Sequence, residues 1–180
     1  MPVNDVQPKI TRQAKIRSAL VNTLLAAAIF IAATAFQTRN MLPADRQPAP
    51  GLTGTTLAGQ PYRLDDAAGR PALIYFFAPW CTICGASADN LARLRRWRNA
   101  GEFEMVAVAL DWGDAEEVRA YAKRHDLGLT VLLGDANTAR QWQIYAYPSY
   151  YVLDSQQRIA RRDVGYSSQF GLWWRAWTVQ

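Results

Sequence analysis

The sequence contains very little cysteine or histidine: Cys81, Cys84 and His125 are the only such residues among 180. A small domain held together by disulfides needs several cysteine pairs, so that class of protein is excluded. Two cysteines and one histidine also fall short of the four ligands of a structural zinc site. Glycine-rich phosphate loops, a Ser-His-Asp set and paired catalytic carboxylates are missing as well. Any chemistry is therefore expected at the cysteine pair.

The part of the chain expected to fold carries almost no excess positive charge. The formal net charge is +5, but residues 1–39 hold five basic residues and one acidic residue, whereas residues 40–180 hold 15 basic and 14 acidic residues. A nucleic-acid-binding face needs clustered basic residues on the domain itself, so the sequence argues against nucleic acid as a partner. The apolar content of 50% is enough for a core of ordinary size and excludes wholesale disorder.

One long apolar run lies near the amino terminus. Residues 19–36 contain no charged side chain and follow a basic tail over residues 1–18. A membrane-spanning helix needs about 20 apolar residues, with a lower limit of about 17. The basic flank predicts a cytoplasmic tail and a domain on the outer side of the membrane. A cleaved signal peptide, cut near Ala35, is the alternative; the long basic region and unbroken apolar run favour an uncleaved anchor.

A proline-rich linker is expected between this anchor and the domain. It covers residues 37–50, and three prolines fall between positions 40 and 50. Proline fixes φ and removes an amide donor, so this stretch predicts an extended, semi-stiff spacer. The folded domain is expected over residues 51–180.

Within the domain, apolar runs typical of strands alternate with segments of helical period. Strands are predicted over 53–57 and 62–64 (a hairpin), Ala72–Phe77, 105–110, Thr130–Leu133, Ser149–Leu153 and 158–164. Helices are predicted over 81–97, Ala115–Arg124 with Asp114 as its cap, 137–143 and 168–178. This order predicts an α/β fold with a mostly parallel sheet, helices on both faces and a late antiparallel hairpin.

The two cysteines stand at the predicted turn between the strand Ala72–Phe77 and the helix that follows. A separation of three residues on a helix brings the two side chains to one face, where a disulfide can close. The amino end of a helix favours negative charge and so lowers the pKa of the Cys81 thiol. Cys84, one turn later, is placed to resolve a mixed disulfide. A structural cysteine pair and a metal-binding pair remain as alternatives.

Residues 76–84, Phe-Phe-Ala-Pro-Trp-Cys-Thr-Ile-Cys, resemble the F-x-A-x-W-C-x-x-C signature of thioredoxin-like proteins. With the anchor and the hairpin, the resemblance over residues 48–177 is to the membrane-anchored TlpA/ResA/DsbE branch, in particular to ScsD-like protein disulfide oxidoreductases. It implies a thioredoxin-like fold and a protein thiol–disulfide oxidoreductase. Cys81 and Cys84 would be its catalytic, redox-active disulfide, with Trp80, Thr82 and Ile83 shaping the site.

A second element of the same family lies in residues 146–149, Ala-Tyr-Pro-Ser. These folds carry a cis-proline opposite the cysteine pair, so the resemblance implies a cis bond before Pro148. The backbone of Tyr147 would then be presented to a substrate chain. Tyr147 and Pro148 are accordingly expected to shape the substrate groove.

The sequence departs from the family pattern where proton transfer is concerned. The buried acid that thioredoxins carry six positions before the first cysteine is Tyr75 here, and a Glu common three positions after the second is Ser87. The helix-kinking proline five positions after the second cysteine is replaced by Asp89. Asp111, at the end of the neighbouring strand, is the substitute candidate for a proton acceptor; its alternative role is a cap or a solvated loop charge.

The resemblance implies no organic cofactor, because electrons pass by thiol exchange with substrate proteins and a redox partner protein. We expect a monomer in the inner membrane with its catalytic domain on the periplasmic side. One competing interpretation is a thiol peroxidase, although Pro79 does not fit the P-x-x-x-T-x-x-C pattern. The other is a protein that holds Cu(I) between the two thiolates. His125 is a weak candidate for the third copper ligand and is expected at the surface, at a helix end.

The last helix is rich in tryptophan: Trp173, Trp174 and Trp177. Positions 173 and 177 are four apart, which favours packing against the core over a membrane-surface contact. The arginines between positions 93 and 98 are read as the solvated face of the first helix of the domain.

Overall fold

The computed structural model describes residues 12–179, and its first element is a long helix. This helix, α1, spans Arg12–Thr38. Within it, Lys15–Thr38 contains an 18-residue window with a mean hydropathy of 2.1 and is long and apolar enough to cross a membrane, as a signal sequence also is. The predicted span of residues 19–36 lies inside it. Residues 1–11, which make up most of the predicted basic tail, lie outside the described residues.

The chain from Asn40 onwards forms a separate unit built on a five-stranded sheet. Two further strands, β1 (Thr53–Thr55) and β2 (Pro61–Arg63), form the predicted hairpin ahead of it. The sheet strands are β3 (Ala72–Phe77), β4 (Glu104–Ala109), β5 (Thr130–Leu133), β6 (Ser149–Leu153) and β7 (Ile159–Val164). Their order is β5-β4-β3-β6-β7. The first three strands of that order are parallel, while β6 and β7 run antiparallel, as the late hairpin predicted.

The helices of this unit are α2 (Thr82–Trp97), α3 (Ala115–Arg124), α4 (Ala136–Gln141) and α5 (Gln169–Trp177). The predicted bounds of α3 and its Asp114 cap are confirmed, because the Asp114 side chain accepts from the Glu117 N–H. The other three helices were each predicted slightly too long. For α2 and α5 the predicted first residues, Cys81 and Ser168, are N-caps with extended backbone.

Strand β3 is completely buried, and its alternate side chains supply two separate cores. Leu73, Tyr75 and Phe77 point into a cluster shared with helices α2, α3 and α5. Ile74 and Phe76 point to the opposite face, where Trp142 and the segment before β1 cover them. Helices therefore flank the sheet, with the larger three on the face that also receives Cys84. This fully buried strand ends at Phe77 and directs the chain to the cysteine turn.

The proline-rich segment is not a free spacer, and its chain bends at residues 39–41 and 45–46 after α1 ends at Thr38. Met41 is buried, and the Arg162 guanidinium donates to the Met41 and Leu42 carbonyl oxygens. The Leu42 N–H donates to the Tyr151 hydroxyl at 3.0 Å. Arg46 pairs with the buried carboxylate of Asp154 at 2.8 Å. Partners far along the chain therefore attach this segment to the domain.

Both edges of the sheet carry chain from the region before β3. At the β5 edge, the Leu57 N–H donates to the Val131 carbonyl at 2.9 Å. At the β7 edge, the Ile159 N–H donates to the Gln47 carbonyl at 2.9 Å, and Pro48 bridges to Arg158. The remainder of β7 reads Ala-Arg-Arg-Asp-Val and is rich in charge.

The tryptophans of α5 meet the core-packing prediction only in part. Trp173 is half-buried against the core and stacks on Trp177 with ring centres 5.5 Å apart. Trp174 and Trp177 are each exposed by more than half. The helix has one core-facing stripe, built from Leu172 and Ala176, so the other aromatic rings lie outside it.

Candidate active site

Cys81 is the N-cap residue of α2, directly after the turn that follows β3. Its Sγ accepts the Cys84 N–H at 3.2 Å. Free N–H groups and the helix dipole concentrate positive potential at this point. A thiolate on Cys81 would be stabilised by both, which lowers the pKa of a thiol there.

Cys81 and Cys84 form a disulfide, with their Cα atoms 5.2 Å apart. The two sulfurs differ in their surroundings, because Cys81 is half-buried whereas Cys84 has no exposed surface. Cys84 packs into the cluster that includes Tyr75, Phe77 and Leu91. An incoming sulfur can therefore approach Cys81 and not Cys84.

The residues around the pair form an exposed rim. Trp80 and Ile83 are 61% and 53% exposed, which is unusual for such large apolar side chains, and Thr82 between the cysteines is also exposed. The Trp80 indole N–H donates to the Asp111 main-chain carbonyl at 3.0 Å. That hydrogen bond fixes the ring beside the cysteine turn despite its exposure.

The loop before β6 lies against this rim. The Tyr147–Pro148 bond is cis, in agreement with the family resemblance. Ser149, the next residue, pairs in register with Phe76 near the end of β3. The Tyr147 and Trp80 rings meet edge to face, with centres 6.0 Å apart. The structure therefore brings the predicted residues Trp80 and Tyr147 together next to the cysteines.

Asp111 contributes its main-chain carbonyl to the site, as the acceptor for the Trp80 indole N–H. It has a positive φ of 51°, and its side chain is exposed. Burial, and then the Asp111 carboxylate, raise the pKa of the Tyr147 phenol. Asp111, Trp112, Asp135 and Tyr147 line a cleft of about 450 Å³. The described contacts thus put the Asp111 carboxylate near Tyr147.

Tyr75 occupies the position of the missing buried acid, and it makes a polar contact that the sequence did not reveal. Its hydroxyl donates to the Cys84 carbonyl at 2.9 Å and lies 3.2 Å from the Tyr121 hydroxyl. Burial raises the pKa of Tyr121 to about 12 and that of Tyr75 well above its ordinary value. Both phenols therefore stay protonated at physiological pH and cannot replace the acid as a base.

His125 was expected at the surface of a helix end, and this expectation is only half right. It is the C-cap residue of α3, but its side chain is only 16% exposed. The ring lies against Gly85, and Nδ1 is 2.9 Å from the Asp89 carboxylate. No sequence signal linked these residues, because 36 positions separate Asp89 from His125.

Among residues 12–179, no group of three or more His, Cys, Asp and Glu side chains is arranged to hold a metal ion. The only ligand atoms that lie together at the cysteine turn are the two sulfurs. Two sulfurs joined in a disulfide carry no thiolate, so in this oxidised form the pair offers Cu(I) no thiolate ligand.

Comparisons with known proteins agree with this geometry. The family model described as AhpC/TSA matches residues 46–162. The thioredoxin-like protein YneN of Bacillus subtilis is 31% identical over 121 residues, which cover 66% of this chain and 71% of YneN. The soluble secreted antigen MPT53 of Mycobacterium tuberculosis is 31% identical over 81 residues, 45% of each chain. The match thus spans less than half of that relative.

The fold is shared with solved structures. A thiol:disulfide interchange protein of the thioredoxin family from Chlorobium tepidum superposes with a TM-score of 0.69 at 21% identity, covering 77% of this chain and 99% of that one. Its central sheet and flanking helices correspond to the architecture described above. The chain belongs to the AhpC/TSA family and is a thioredoxin-like thiol–disulfide oxidoreductase.

Proposed function

We propose that this chain is a membrane-tethered, exported oxidoreductase that exchanges disulfides with partner proteins. Cys81 is the attacking thiol and Cys84 the resolving thiol. Protein thiols and disulfides are its substrates, and a second redox protein regenerates it. It works as a monomer, without an organic cofactor.

The observation that carries this proposal is the asymmetry of the two sulfurs. Cys81 is half-buried and sits at a helix N-terminus, where a thiolate is stabilised. Cys84 is fully buried one turn later, within bonding distance of Cys81. A substrate sulfur can thus meet one cysteine first and the other only through it.

The proposed cycle needs only thiol exchange. In the reduced enzyme, the Cys81 thiolate attacks a substrate disulfide, and the sulfur it displaces leaves as a thiolate. Cys84, after losing its proton, attacks the Cys81 sulfur of the mixed disulfide and releases the second substrate sulfur. The enzyme is left with the Cys81–Cys84 disulfide and the substrate with two thiols. Oxidation of a substrate follows the same steps in reverse.

The exposed rim supports a polypeptide as the substrate. Trp80, Ile83 and Tyr147 offer apolar surface next to Cys81, and the proposed substrate contact uses the backbone of Tyr147 in the loop that lies against this rim. An extended chain can pair with such backbone as a strand does. The cleft beside Tyr147 gives room for a side chain that neighbours the substrate cysteine.

The apolar helix supports an exported, tethered location. Its length and hydropathy suit a span, and the basic residues before it favour the inner membrane with the domain on the periplasmic side. The relative MPT53 is named as a secreted antigen. Outside the cytoplasm, disulfides form and persist, so disulfide substrates are available there.

Trapping of a mixed disulfide tests this proposal. Cys84→Ser in the full chain removes resolution but not attack, so covalent complexes with partner proteins should accumulate on non-reducing gels and vanish with a reducing agent. Cys81→Ser is the matched control and should trap nothing. Equal trapping by both variants, or preferential alkylation of Cys84 at neutral pH, would overturn the assignment of the two roles.

A further inference from the structure

A histidine and a carboxylate lie together on the helix that begins at Cys81. His125, the cap of α3, places its ring on α2, with Nδ1 2.9 Å from Asp89 Oδ1. The ring also packs on Tyr121, with ring centres 4.6 Å apart. A carboxylate accepts, so Nδ1 carries the hydrogen, and Nε2 is the nitrogen left for other contacts.

Gly85 lets this ring approach the first turn of α2. A Cβ atom added to Gly85 would lie 2.9 Å from Cε1 and 3.0 Å from Nε2 of His125. A Cβ atom is essentially never found this close to a non-bonded heavy atom, so any side chain at position 85 would displace the His125 ring. Gly85 also follows Cys84 directly, and its N–H donates to the Cys81 carbonyl at 3.3 Å. The Nε2 edge of the ring therefore rests on the turn that carries both sulfurs.

Gly85 and Asp89 are four residues apart and share one face of α2, and the N-cap Cys81 precedes Gly85 by four residues and accepts its N–H. Four residues of helix rise about 6 Å. Because Nδ1 is turned towards Asp89, the Nε2 edge is on the side of Cys81. The imidazole thus connects the Asp89 carboxylate with the cysteine turn across one helical turn.

The two phenols near the His125 ring do not change charge at physiological pH. Tyr121 and Tyr75 keep their protons, because burial raises the pKa of both phenols. An imidazole, unlike a phenol, can take up a proton at its free ring nitrogen and become a cation. The titratable groups in described contact with the ring are Asp89 on α2 and Tyr121 on α3. Arg124 and Asp126 flank His125 in the chain, Asp126 pairs with Arg96 of α2, and Tyr75 of β3 contacts Tyr121.

We propose that His125, held by Asp89 and seated on Gly85, is a positioning residue that makes the dithiol responsive to pH. This inference rests on the proposed function. When a substrate dithiol reduces the Cys81–Cys84 disulfide, two electrons enter the pair and the substrate becomes a disulfide. Of the two substrate protons, one goes to Cys84 Sγ and the other to His125 Nε2. Cys81 is left as a thiolate beside an imidazolium.

The test compares His125→Asn with the wild type in the full-length chain. Asparagine keeps a donor for Asp89 but does not titrate. The readouts are the alkylation rate of Cys81 from pH 4.5 to 9 and the disulfide equilibrium with glutathione. The wild type should show a step in rate between pH 5 and 8 that the variant lacks. At pH 6 the variant should react roughly tenfold more slowly, the equivalent of one pKa unit at Cys81, and its disulfide should be harder to reduce.

Three further variants make the result specific. Gly85→Ala retains His125 but displaces its ring, so it should reproduce the His125→Asn profile. Asp89→Asn should move the step to lower pH. Lys123→Gln removes an exposed charge from α3 without touching the ring and should leave the profile unchanged. Should His125→Asn fail to fold, Gly85→Ala and Asp89→Asn carry the same test.

Identical pH profiles and glutathione equilibria for wild type, His125→Asn and Gly85→Ala would overturn the inference. The proposed function would survive that result as long as Cys84→Ser still traps partners. Failure of Cys84→Ser to trap any partner would contradict the proposed function itself, whatever the pH profile of Cys81.

Discussion

Single hydroxyl groups provide the polar contacts beneath the cysteine pair. Tyr75→Phe removes the donor to the Cys84 carbonyl and deprives the buried Tyr121 hydroxyl of its contact. An unmade buried hydrogen bond costs about 1–3 kcal/mol, so the free energy of unfolding should fall by that amount. Urea denaturation of the oxidised protein measures it. Tyr145→Phe, at an exposed ring, is the control and should change little. A Tyr75→Phe variant as stable as the wild type would contradict this account of the hydroxyl pair.

The residue scale is also where prediction from sequence was least complete. A tyrosine in an apolar strand looks like an ordinary core residue, and nothing at position 75 signals a bond to Cys84. The contact of His125 with Asp89 depends on how two helices cross, which local patterns do not specify. The cysteine pair was predictable, because spacing alone puts both sulfurs on one helical turn.

Among the elements, the turn between β6 and β7 holds the proline-rich segment on the domain through Asp154. Burial opposes the charge of this carboxylate, but the Arg158 N–H, the Arg46 guanidinium and the Gln156 N–H outweigh it and hold its pKa below the ordinary value. A lowered pKa in the folded state stabilises the protein above about pH 4. That contribution is lost as the pH falls through the lowered pKa.

Asp154→Asn should therefore destabilise the protein at pH 7 by roughly 1–3 kcal/mol, the value of a hydrogen bond to a charged group. The difference from the wild type should shrink at pH 3, where the wild-type carboxylate also becomes protonated. Urea midpoints at pH 7, 5 and 3 give the comparison. Asp65→Asn, at an exposed pair with Arg63, should have little effect at any of these values. A destabilisation that is the same at all three pH values would argue against the charge as its cause.

Elements were predicted best where a single local signal was strong. The bounds of β3, β5, β6 and α3 are those of the apolar runs and of the Asp114 cap. Helix starts at Cys81 and Ser168 were placed one residue early, because an N-cap contributes to the pattern without having helical backbone. The packing of residues 41–49 on the domain was missed, since it depends on Arg162 and Asp154, more than 100 positions away.

For the whole molecule, the apolar helix decides where the enzyme works. If it spans a membrane, the full chain should stay in the membrane fraction after carbonate extraction. Ile29→Arg, near the middle of the helix, should weaken insertion by about 2.5–3.5 kcal/mol and shift protein to the soluble fraction. Ile16→Arg, near the start of the helix, is the matched control, because a long basic side chain there can reach the interface. A soluble wild-type species beginning near Phe36 would contradict the anchor and favour cleavage.

The two edge strands of the sheet, β5 and β7, matter for the proposed exchange with protein substrates. An unprotected edge strand can pair with an extended segment of another chain, and such pairing leads to aggregation. Here Leu57 occupies part of one edge, residues 46–49 occupy the start of the other, and the rest of β7 is charged. For the proposed protein substrates, the backbone beside Tyr147 is the pairing site that lies next to the cysteines. A substrate chain bound there is held where disulfide exchange and release can follow.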